Sequence, residues 1–147
     1  MRNKTGLDFV NGNQHCMRNN CTIIFVYNEE SNAFSIVSGY VHKMISPKTY
    51  HCNLCKITHH HFGMRSEWKS FINKLPFKFE FFNKNSFAEK YTNLSISFPA
   101  ILLSRNNQLH SLAFAEEINT CASAKDLKKL LLSKLSLYDK CNYSGIQ

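Results

Sequence analysis

Two cysteines at C-x-x-C spacing, Cys52 and Cys55, are the residues of this chain best suited to chemistry. They lie in a stretch from Tyr50 to Gly63 that also contains four of the seven histidines, which are His51, His59, His60 and His61. If the pair begins a helix, residues three apart share one face and the second thiol can reach the first. The stretch therefore predicts either thiol or metal chemistry.

Thiol–disulfide exchange is the first interpretation. A thiolate at a helix N-terminus is stabilised by the helix dipole and by unpaired N–H groups, which lower its pKa below ~8.5. We expect Cys52 to begin a helix as the attacking thiol, Cys55 to resolve the mixed disulfide, and Lys56 to favour the anion. This predicts a thiol–disulfide oxidoreductase or redox sensor that needs no cofactor and has a protein thiol or disulfide as partner.

Zinc binding, in a non-catalytic interaction module, is the alternative that the same residues leave open. A structural zinc site needs four ligands, and the candidates are Cys52, Cys55, His59 and His61. A C-x4-C pair, Cys16 and Cys21, could close such a site, although the chain has no second C-x-x-C. A third interpretation makes the cysteines small buried groups and the histidines a solvated loop.

Composition predicts a single globular domain. The chain has 147 residues, of which 44% are hydrophobic and 19% charged, enough for a core without disulfides. No apolar run approaches the roughly 18 residues that span a bilayer, and Met1–Asp8 lacks an apolar signal region. We therefore expect a cytoplasmic protein with no membrane contact, in a compartment that keeps thiols reduced.

The formal net charge of +8 raises the question of nucleic-acid binding. The eighteen Lys and Arg residues are spread from Arg2 to Lys140. The one local cluster, Lys125, Lys128, Lys129 and Lys134, falls on the polar side of a predicted helix. Such a face is typically solvated, so we expect no nucleic-acid partner.

Hydrophobic periodicity and turn signals predict the following elements. We expect a tail over 1–20, a buried strand over Thr22–Tyr27, an amphipathic helix over Ala33–Ile45 and a second helical stripe from Met64 to Leu75. Next come a strand over Phe77–Phe82, a short helix over Asn83–Tyr91 capped by Ser86, and two strands over Phe98–Leu103 and Gln108–Phe114. A capping box over Ser123–Asp126 begins the last helix, and a tail begins at Asp139.

This order predicts an α/β fold over residues 21–138. Two strands separated by helices pair in parallel through a right-handed crossover. The last two strands pair antiparallel through a tight turn at Asn106 and Asn107, since asparagine tolerates positive φ. The economical arrangement is a mixed four-stranded sheet with helices on both faces.

The element order resembles the thioredoxin fold. The likeness rests on C-x-x-C ahead of a helix, on Phe98-Pro99-Ala100 opening the third strand, and on a final hairpin followed by a helix. The resemblance implies that Pro99 is cis and packs against Cys52 and Cys55, which adds Pro99 to the candidate catalytic residues. The chain departs from that family in its extra helix before Cys52 and in lacking Trp-Cys-Gly-Pro-Cys.

A closer likeness is to an uncharacterised set of bacterial thioredoxin-like proteins with a Cys-x-Leu-Cys-x-Leu/Ile-Thr motif. The matching segments are Val26–Asn28, His42–Lys43, Ser46–Tyr50 and Cys52–Thr58. This likeness supports the fold and the site rather than a particular activity. The loop Asn28–Ser31 follows the first strand at the usual ligand-bearing edge of an α/β sheet, although we interpret it as a capping loop, and His42 is a weaker candidate for the same edge.

Overall fold

The computed structural model describes residues 20–29, 52–60 and 63–143. Four strands form the main sheet, and they are β1 (Cys21–Tyr27), β4 (Lys78–Asn83), β5 (Ala100–Arg105) and β6 (Gln108–Ala113). A two-stranded sheet pairs β2 (His59–His60) with β3 (Gly63–Met64). The helices of the described ranges are α1 (Asn53–Thr58), α2 (Ser66–Asn73), α3 (Lys84–Lys90), α4 (Ala115–Thr120) and α5 (Ala124–Tyr143).

Strand β1 is an inner strand of the main sheet, whose order is β4-β1-β5-β6. Every β1 residue except Thr22 is buried. Successive side chains point to opposite faces, so that Phe25 belongs to the core cluster on one face and Val26 to the cluster on the other. The continuous apolar run follows from burial on both faces, and the prediction of a central strand is confirmed.

Strand pairing brings three chain segments to one edge of the sheet. Strand β1 runs parallel to β4, with Tyr27 opposite Asn83. It runs antiparallel to β5, with Val26 opposite Ala100, and β5 is antiparallel to β6. The α/β class and the mixed four-stranded sheet are therefore confirmed. We call the edge at which β1 and β4 end and β5 begins the upper edge.

Helices cover both faces of the sheet, as predicted. The larger core cluster combines side chains of β1 and β5 with residues of α1, α2, α4 and α5. The smaller cluster, on the other face, is centred on Phe87 of α3 and includes Ile24, Val26 and Leu102. The larger cluster carries the two candidate cysteines, so the packing of four helices determines where they lie.

Two local turn predictions are confirmed. Asn106 and Asn107 have φ values of 51° and 61°, and they join β5 to β6 in a two-residue turn. At the start of α5, the Asp126 N–H donates to Ser123 Oγ at 3.4 Å, and the Asp126 carboxylate accepts from the Ala122 N–H at 3.0 Å. The bond to Ser123 Oγ is the one that the N-cap of a capping box provides, while the carboxylate bonds the N–H of Ala122, one residue before the N-cap, instead of that of Ser123.

Other boundaries need correction. Asn83, not Ser86, caps α3, because Asn83 Oδ1 accepts from the Ser86 N–H at 2.6 Å. Met64 lies in β3, so the second helical stripe begins only at Ser66. Helix α5 continues through Tyr143, and the C-terminal tail predicted from Asp139 is wrong over residues 139–143.

Some predictions fall outside the described residues. These are the N-terminal tail up to residue 19 and the helix over Ala33–Ile45. Helix α4 and the short β2–β3 sheet were not predicted. Among the helices that the structure describes, none is long and apolar enough to cross a membrane.

Candidate functional site: a thiol pair at the upper edge

Cys52 stands directly before α1, as the C-x-x-C pattern predicted. It is the N-cap residue, with extended backbone angles of φ −92° and ψ 107°, and its carbonyl accepts from the Lys56 N–H at 3.1 Å. Leu54 and Ile57 are buried in the larger core cluster, which fixes the helix against the sheet. Since α1 has only six residues, individual hydrogen-bond donors, rather than a long helix dipole, must decide the state of the Cys52 thiol.

Those donors come from two directions. The Asn28 N–H, just beyond the end of β1, donates to Cys52 Sγ at 3.3 Å. The hydrogen bond from the Cys55 thiol is the main cause that lowers the pKa of Cys52, against burial, which raises it. The Cys55 N–H also favours the anion, although it does not reach the geometry of a cap hydrogen bond. Cys52 is therefore the thiol of the pair that loses its proton more readily.

Cys55 is the protonated partner. The pKa of Cys55 is raised far above its ordinary value, chiefly because its proton is shared with the Cys52 sulphur and secondly by burial. The Glu29 carboxylate, only 7% exposed, adds to this by charge and by lying within hydrogen-bonding reach of the Cys55 thiol. A proton leaving Cys55 would therefore find a carboxylate beside it.

The two residues differ in exposure. Cys52 is 0% exposed, whereas Cys55 is partly exposed. An attacking thiol must meet its partner, so the prediction that Cys52 attacks requires this buried residue to become accessible. Cys55 is the more exposed residue of the pair.

Asn53, one of the two residues between the thiols, connects α1 to α4 by hydrogen bonds. Asn53 Nδ2 donates to the carbonyls of Ile118 and Cys121, each at 2.9 Å. These carbonyls lie at the end of α4, where the last carbonyls of a helix have no partner within it. One amide therefore satisfies two acceptors and anchors the start of α1.

A hydrogen-bonded group of side chains that includes Tyr27 lies close to Cys52 and Cys55. The Tyr27 hydroxyl is 3.4 Å from Thr58 Oγ1, which donates to the Leu54 carbonyl at 2.7 Å. Thr58 Oγ1 is also 2.8 Å from His59 Nδ1, and the Tyr27 and His59 rings meet edge to face at 5.4 Å. Burial raises the pKa of Tyr27, and negative charge on the thiols adds to the effect, so Tyr27 stays protonated.

The structure describes only some of the predicted zinc ligands. His59 is buried and is held by Thr58 and Tyr27, while His61 lies outside the described residues, as do His42, His51 and Cys16. Within the described ranges no three His, Cys, Asp or Glu side chains are grouped so that they could hold a metal ion. The zinc site at Cys52, Cys55, His59 and His61 therefore stays a prediction.

Pro99 lies at the same edge as the thiol pair. It is buried, its peptide bond with Phe98 is cis, and it directly precedes β5. Because Ala100 pairs with Val26, Pro99 is next to the end of β1, from which Asn28 contacts Cys52. The structure therefore brings all three predicted catalytic residues to the upper edge.

Two neighbours of the pair were missed as site residues. Glu29 belongs to a loop that we interpreted as a cap, and its carbonyl does accept the Lys84 N–H at the start of α3, at 3.3 Å. Its buried carboxylate beside Cys55 was the part not foreseen. Tyr27 was assigned to the strand alone. The one available signal was the position of both residues at the carboxyl end of a buried strand, where ligands commonly bind.

Comparison with known proteins found no match: no protein-family model matches the chain, and neither a curated protein nor a solved structure does. The function of the site therefore has to be inferred from the geometry of Cys52, Cys55 and their neighbours. In that geometry Cys52 Sγ accepts the Asn28 N–H at 3.3 Å, and Cys55 follows one turn along α1.

Proposed function

We propose that this protein is a thioredoxin-like protein that carries out thiol–disulfide exchange at Cys52 and Cys55. The observation that carries the proposal is the contact of the Asn28 N–H with Cys52 Sγ, at 3.3 Å, in a cysteine that stands one turn before Cys55 at the start of α1. A thiolate is the reactive form of cysteine. Cys55, one turn along the same helix, is the second thiol, and closing a disulfide has to bring the two free sulphurs together.

The sheet supports the thioredoxin-like part of the proposal. Its order β4-β1-β5-β6, with β1 and β4 parallel and β5 antiparallel to both β1 and β6, agrees with the strand order that the resemblance implies. C-x-x-C at the start of a helix and a proline directly before β5 agree with it as well. The separation of β1 from Cys52 along the chain is the departure already seen in the sequence.

The exchange balances as follows. Forming the Cys52–Cys55 disulfide removes two electrons from the pair and passes them to a partner disulfide. Starting from the Cys52 thiolate and the Cys55 thiol, one proton leaves Cys55 and the partner becomes one thiolate and one thiol. The Glu29 carboxylate, which acts on the Cys55 thiol, can accept that proton first. In the opposite direction a partner dithiol gives two electrons to the pair, and Cys55 takes a proton back.

The test is a redox titration of the full chain in mixtures of reduced and oxidised glutathione. After alkylation, peptide 49–56, which contains both cysteines, should show a Cys52–Cys55 disulfide that forms and disappears reversibly. Cys52→Ser and Cys55→Ser should each abolish it, whereas Cys121→Ser, which changes a cysteine outside the pair, should not. Both thiols remaining reduced in every mixture, in folded protein, would contradict thiol–disulfide exchange.

The same preparation separates exchange from zinc binding. Structural zinc contributes directly to folding free energy, so a zinc protein should contain the metal when purified under reducing conditions. Thiol–disulfide exchange predicts far less than one zinc per chain and no change in thermal unfolding on adding a chelator. Near-stoichiometric zinc that is lost in Cys52→Ser would replace the exchange proposal by the metal alternative.

A further inference from the structure

We propose that the Cys52–Cys55 disulfide oxidises dithiol partners, and that the partner's thiolate attacks Cys55 while Cys52 leaves as a buried thiolate. This inference rests on the proposed thiol–disulfide exchange and specifies its direction, its substrate class and the sulphur that meets the substrate. It reverses the roles that the order of the two cysteines in the sequence suggests.

Exposure is the first reason. An external thiolate has to approach the sulphur that it attacks in line with the bond that breaks, and access limits such reactions. Cys55 is partly exposed, while Cys52 is 0% exposed. Cys55, the more exposed residue, is therefore the one that we expect a partner to reach from solvent, and Cys52 is the one that departs.

The second reason is the position of the hydrogen-bond donors. The Asn28 N–H points at Cys52 Sγ, at 3.3 Å, and comes from a backbone held by β1. When the disulfide breaks at Cys55, negative charge develops on Cys52, where this donor is already in place. A leaving thiol of lower pKa leaves faster. At this step Cys55 is bonded to the partner and has no proton to donate, so the Asn28 N–H is the donor that stabilises the leaving Cys52 thiolate.

Attack on Cys52 would meet the opposite conditions. Cys55 would then have to leave as the anion beside the buried Glu29 carboxylate, and the negative charge there disfavours a thiolate. With Cys52 bonded to the partner, burial and the Glu29 carboxylate are the causes that still raise the pKa of Cys55. Cys55 is therefore the poorer leaving group as well as the more exposed residue of the pair.

The complete half-reaction uses the disulfide itself as oxidant. The first partner thiolate forms a bond to Cys55 Sγ, the bond to Cys52 breaks, and Cys52 keeps the electron pair. The second partner thiolate then attacks the partner's own sulphur in the mixed disulfide, and Cys55 leaves and takes a proton. The partner ends as a disulfide and the pair as a thiolate and a thiol, and a low-molecular-weight disulfide such as oxidised glutathione restores the pair.

The direction follows from the state that the donors stabilise. They bind the Cys52 thiolate, which exists only in the reduced pair, and a disulfide whose reduced form is stabilised is a strong oxidant. The Asn28 N–H cannot make an equally strong bond to a neutral disulfide sulphur, because hydrogen bonds to ionised acceptors are the stronger ones. Dithiols, rather than disulfides, are therefore the substrate class.

The experiment maps the mixed disulfide in the unmodified full chain. Protein carrying the Cys52–Cys55 disulfide is mixed with reduced glutathione, quenched with acid at short times and treated with N-ethylmaleimide at low pH. Fragmentation of peptide 49–56 then locates glutathione. We expect at least about tenfold more glutathione on Cys55 than on Cys52, because Cys52 is the better leaving group.

A matched pair of variants tests the donor. Asn28→Pro removes the N–H that contacts Cys52, while Asn28→Ala keeps it. Loss of one hydrogen bond to a charged group should make the Cys52–Cys55 disulfide of Asn28→Pro about tenfold harder to reduce in glutathione buffers than that of Asn28→Ala. If the disulfides of the two folded variants are equally easy to reduce, the proposed role of this donor is overturned. If Asn28→Pro does not fold, the location of glutathione in the mixed disulfide decides the proposal alone.

The outcomes separate the two proposals. Glutathione on Cys55 supports the inference. Glutathione on Cys52, or reduction of the disulfide with no adduct on Cys55, overturns it while leaving thiol–disulfide exchange intact. If oxidised glutathione never forms the Cys52–Cys55 disulfide in folded protein, the exchange proposal itself fails.

Discussion

Helices α1 and α3 both begin at the upper edge of the sheet, and their N-cap residues behave differently. At α3 the N-cap is Asn83, at the end of β4, and its side chain accepts the Ser86 N–H at 2.6 Å. The Ser86 hydroxyl donates to the Asn83 carbonyl at 3.2 Å, which closes the turn. Asn83 is only 4% exposed, and its side-chain oxygen serves the helix that it begins.

At α1 the N-cap is Cys52, which makes no side-chain cap hydrogen bond. Its sulphur instead accepts the Asn28 N–H, 24 residues earlier in the chain, and the thiol of Cys55. The Glu29 carbonyl links the two helix starts, because it accepts the N–H of Lys84, the first residue of α3. A side chain at a helix start that takes its donors from another segment is therefore a better candidate for chemistry than one that closes its own helix.

Serine at both N-caps should give the largest difference. Serine is a good N-cap residue, so Cys52→Ser and Asn83→Ser should both fold with nearly the wild-type circular dichroism spectrum. Cys52→Ser should lose all glutathione-dependent disulfide at peptide 49–56, whereas Asn83→Ser should keep the wild-type amount. Disulfide loss in Asn83→Ser as well would show that the two N-caps do not differ in function.

Removing the Asn83 cap should mainly affect stability. Asn83→Ala leaves the Ser86 N–H without its acceptor, and loss of a cap of this kind costs about 1 to 2 kcal/mol in the free energy of unfolding. Asn83→Ser is the matched control and should recover most of the loss. Denaturant unfolding of the reduced proteins measures both values, and equal stability of Asn83→Ala and wild type would show that the 2.6 Å contact contributes little.

The pH dependence of the thiolate should separate Cys52 from an ordinary cysteine. Since the pKa of Cys52 is lowered, chiefly by the Cys55 thiol, thiolate absorbance near 240 nm should show a step below the free value of about 8.5. A depressed folded-state pKa contributes stability above the unfolded pKa, and this contribution is lost as pH falls through the folded pKa. Cys52→Ser should remove the step, and a wild-type step at or above 8.5 would contradict the assignment.

Local sequence signals were enough for the elements that carry the site. The β-branched and aromatic run of β1, the Asn106–Asn107 turn and the Ser123–Asp126 box each depend on neighbouring residues only, and each is confirmed. The helix after Cys52 was a condition of the redox interpretation, and the predicted order of elements had no helix between Cys52 and Met64. The choice between Asn83 and Ser86 as a cap was wrong because both residues are good N-caps, and the length of β4 decides between them.

Contacts between distant segments could not be predicted from such signals. Tyr27 and Thr58 are 31 residues apart, and the Asn53 amide reaches carbonyls 65 and 68 residues away in a helix that was not predicted. These contacts depend on strand order and helix packing. The same packing buries Cys52 and leaves Cys55 partly exposed, which the C-x-x-C spacing does not reveal.

The smallest expected effect concerns Glu29, which contacts the start of α3 through its backbone carbonyl and acts on the cysteines at the start of α1 through its carboxylate. Its carbonyl accepts the Lys84 N–H at α3, while its carboxylate acts on the thiols.

Glu29→Gln keeps the carbonyl and removes the charge. Because that charge raises the pKa of Cys52, although less than the Cys55 thiol lowers it, the thiolate step in absorbance should move to lower pH by a fraction of a pH unit. Glu116→Gln, an exposed position on α4, is the control and should leave the step where it is. A shift to higher pH in Glu29→Gln would mean that the carboxylate supports the Cys52 thiolate rather than opposing it, and would remove Glu29 as the proton acceptor for Cys55.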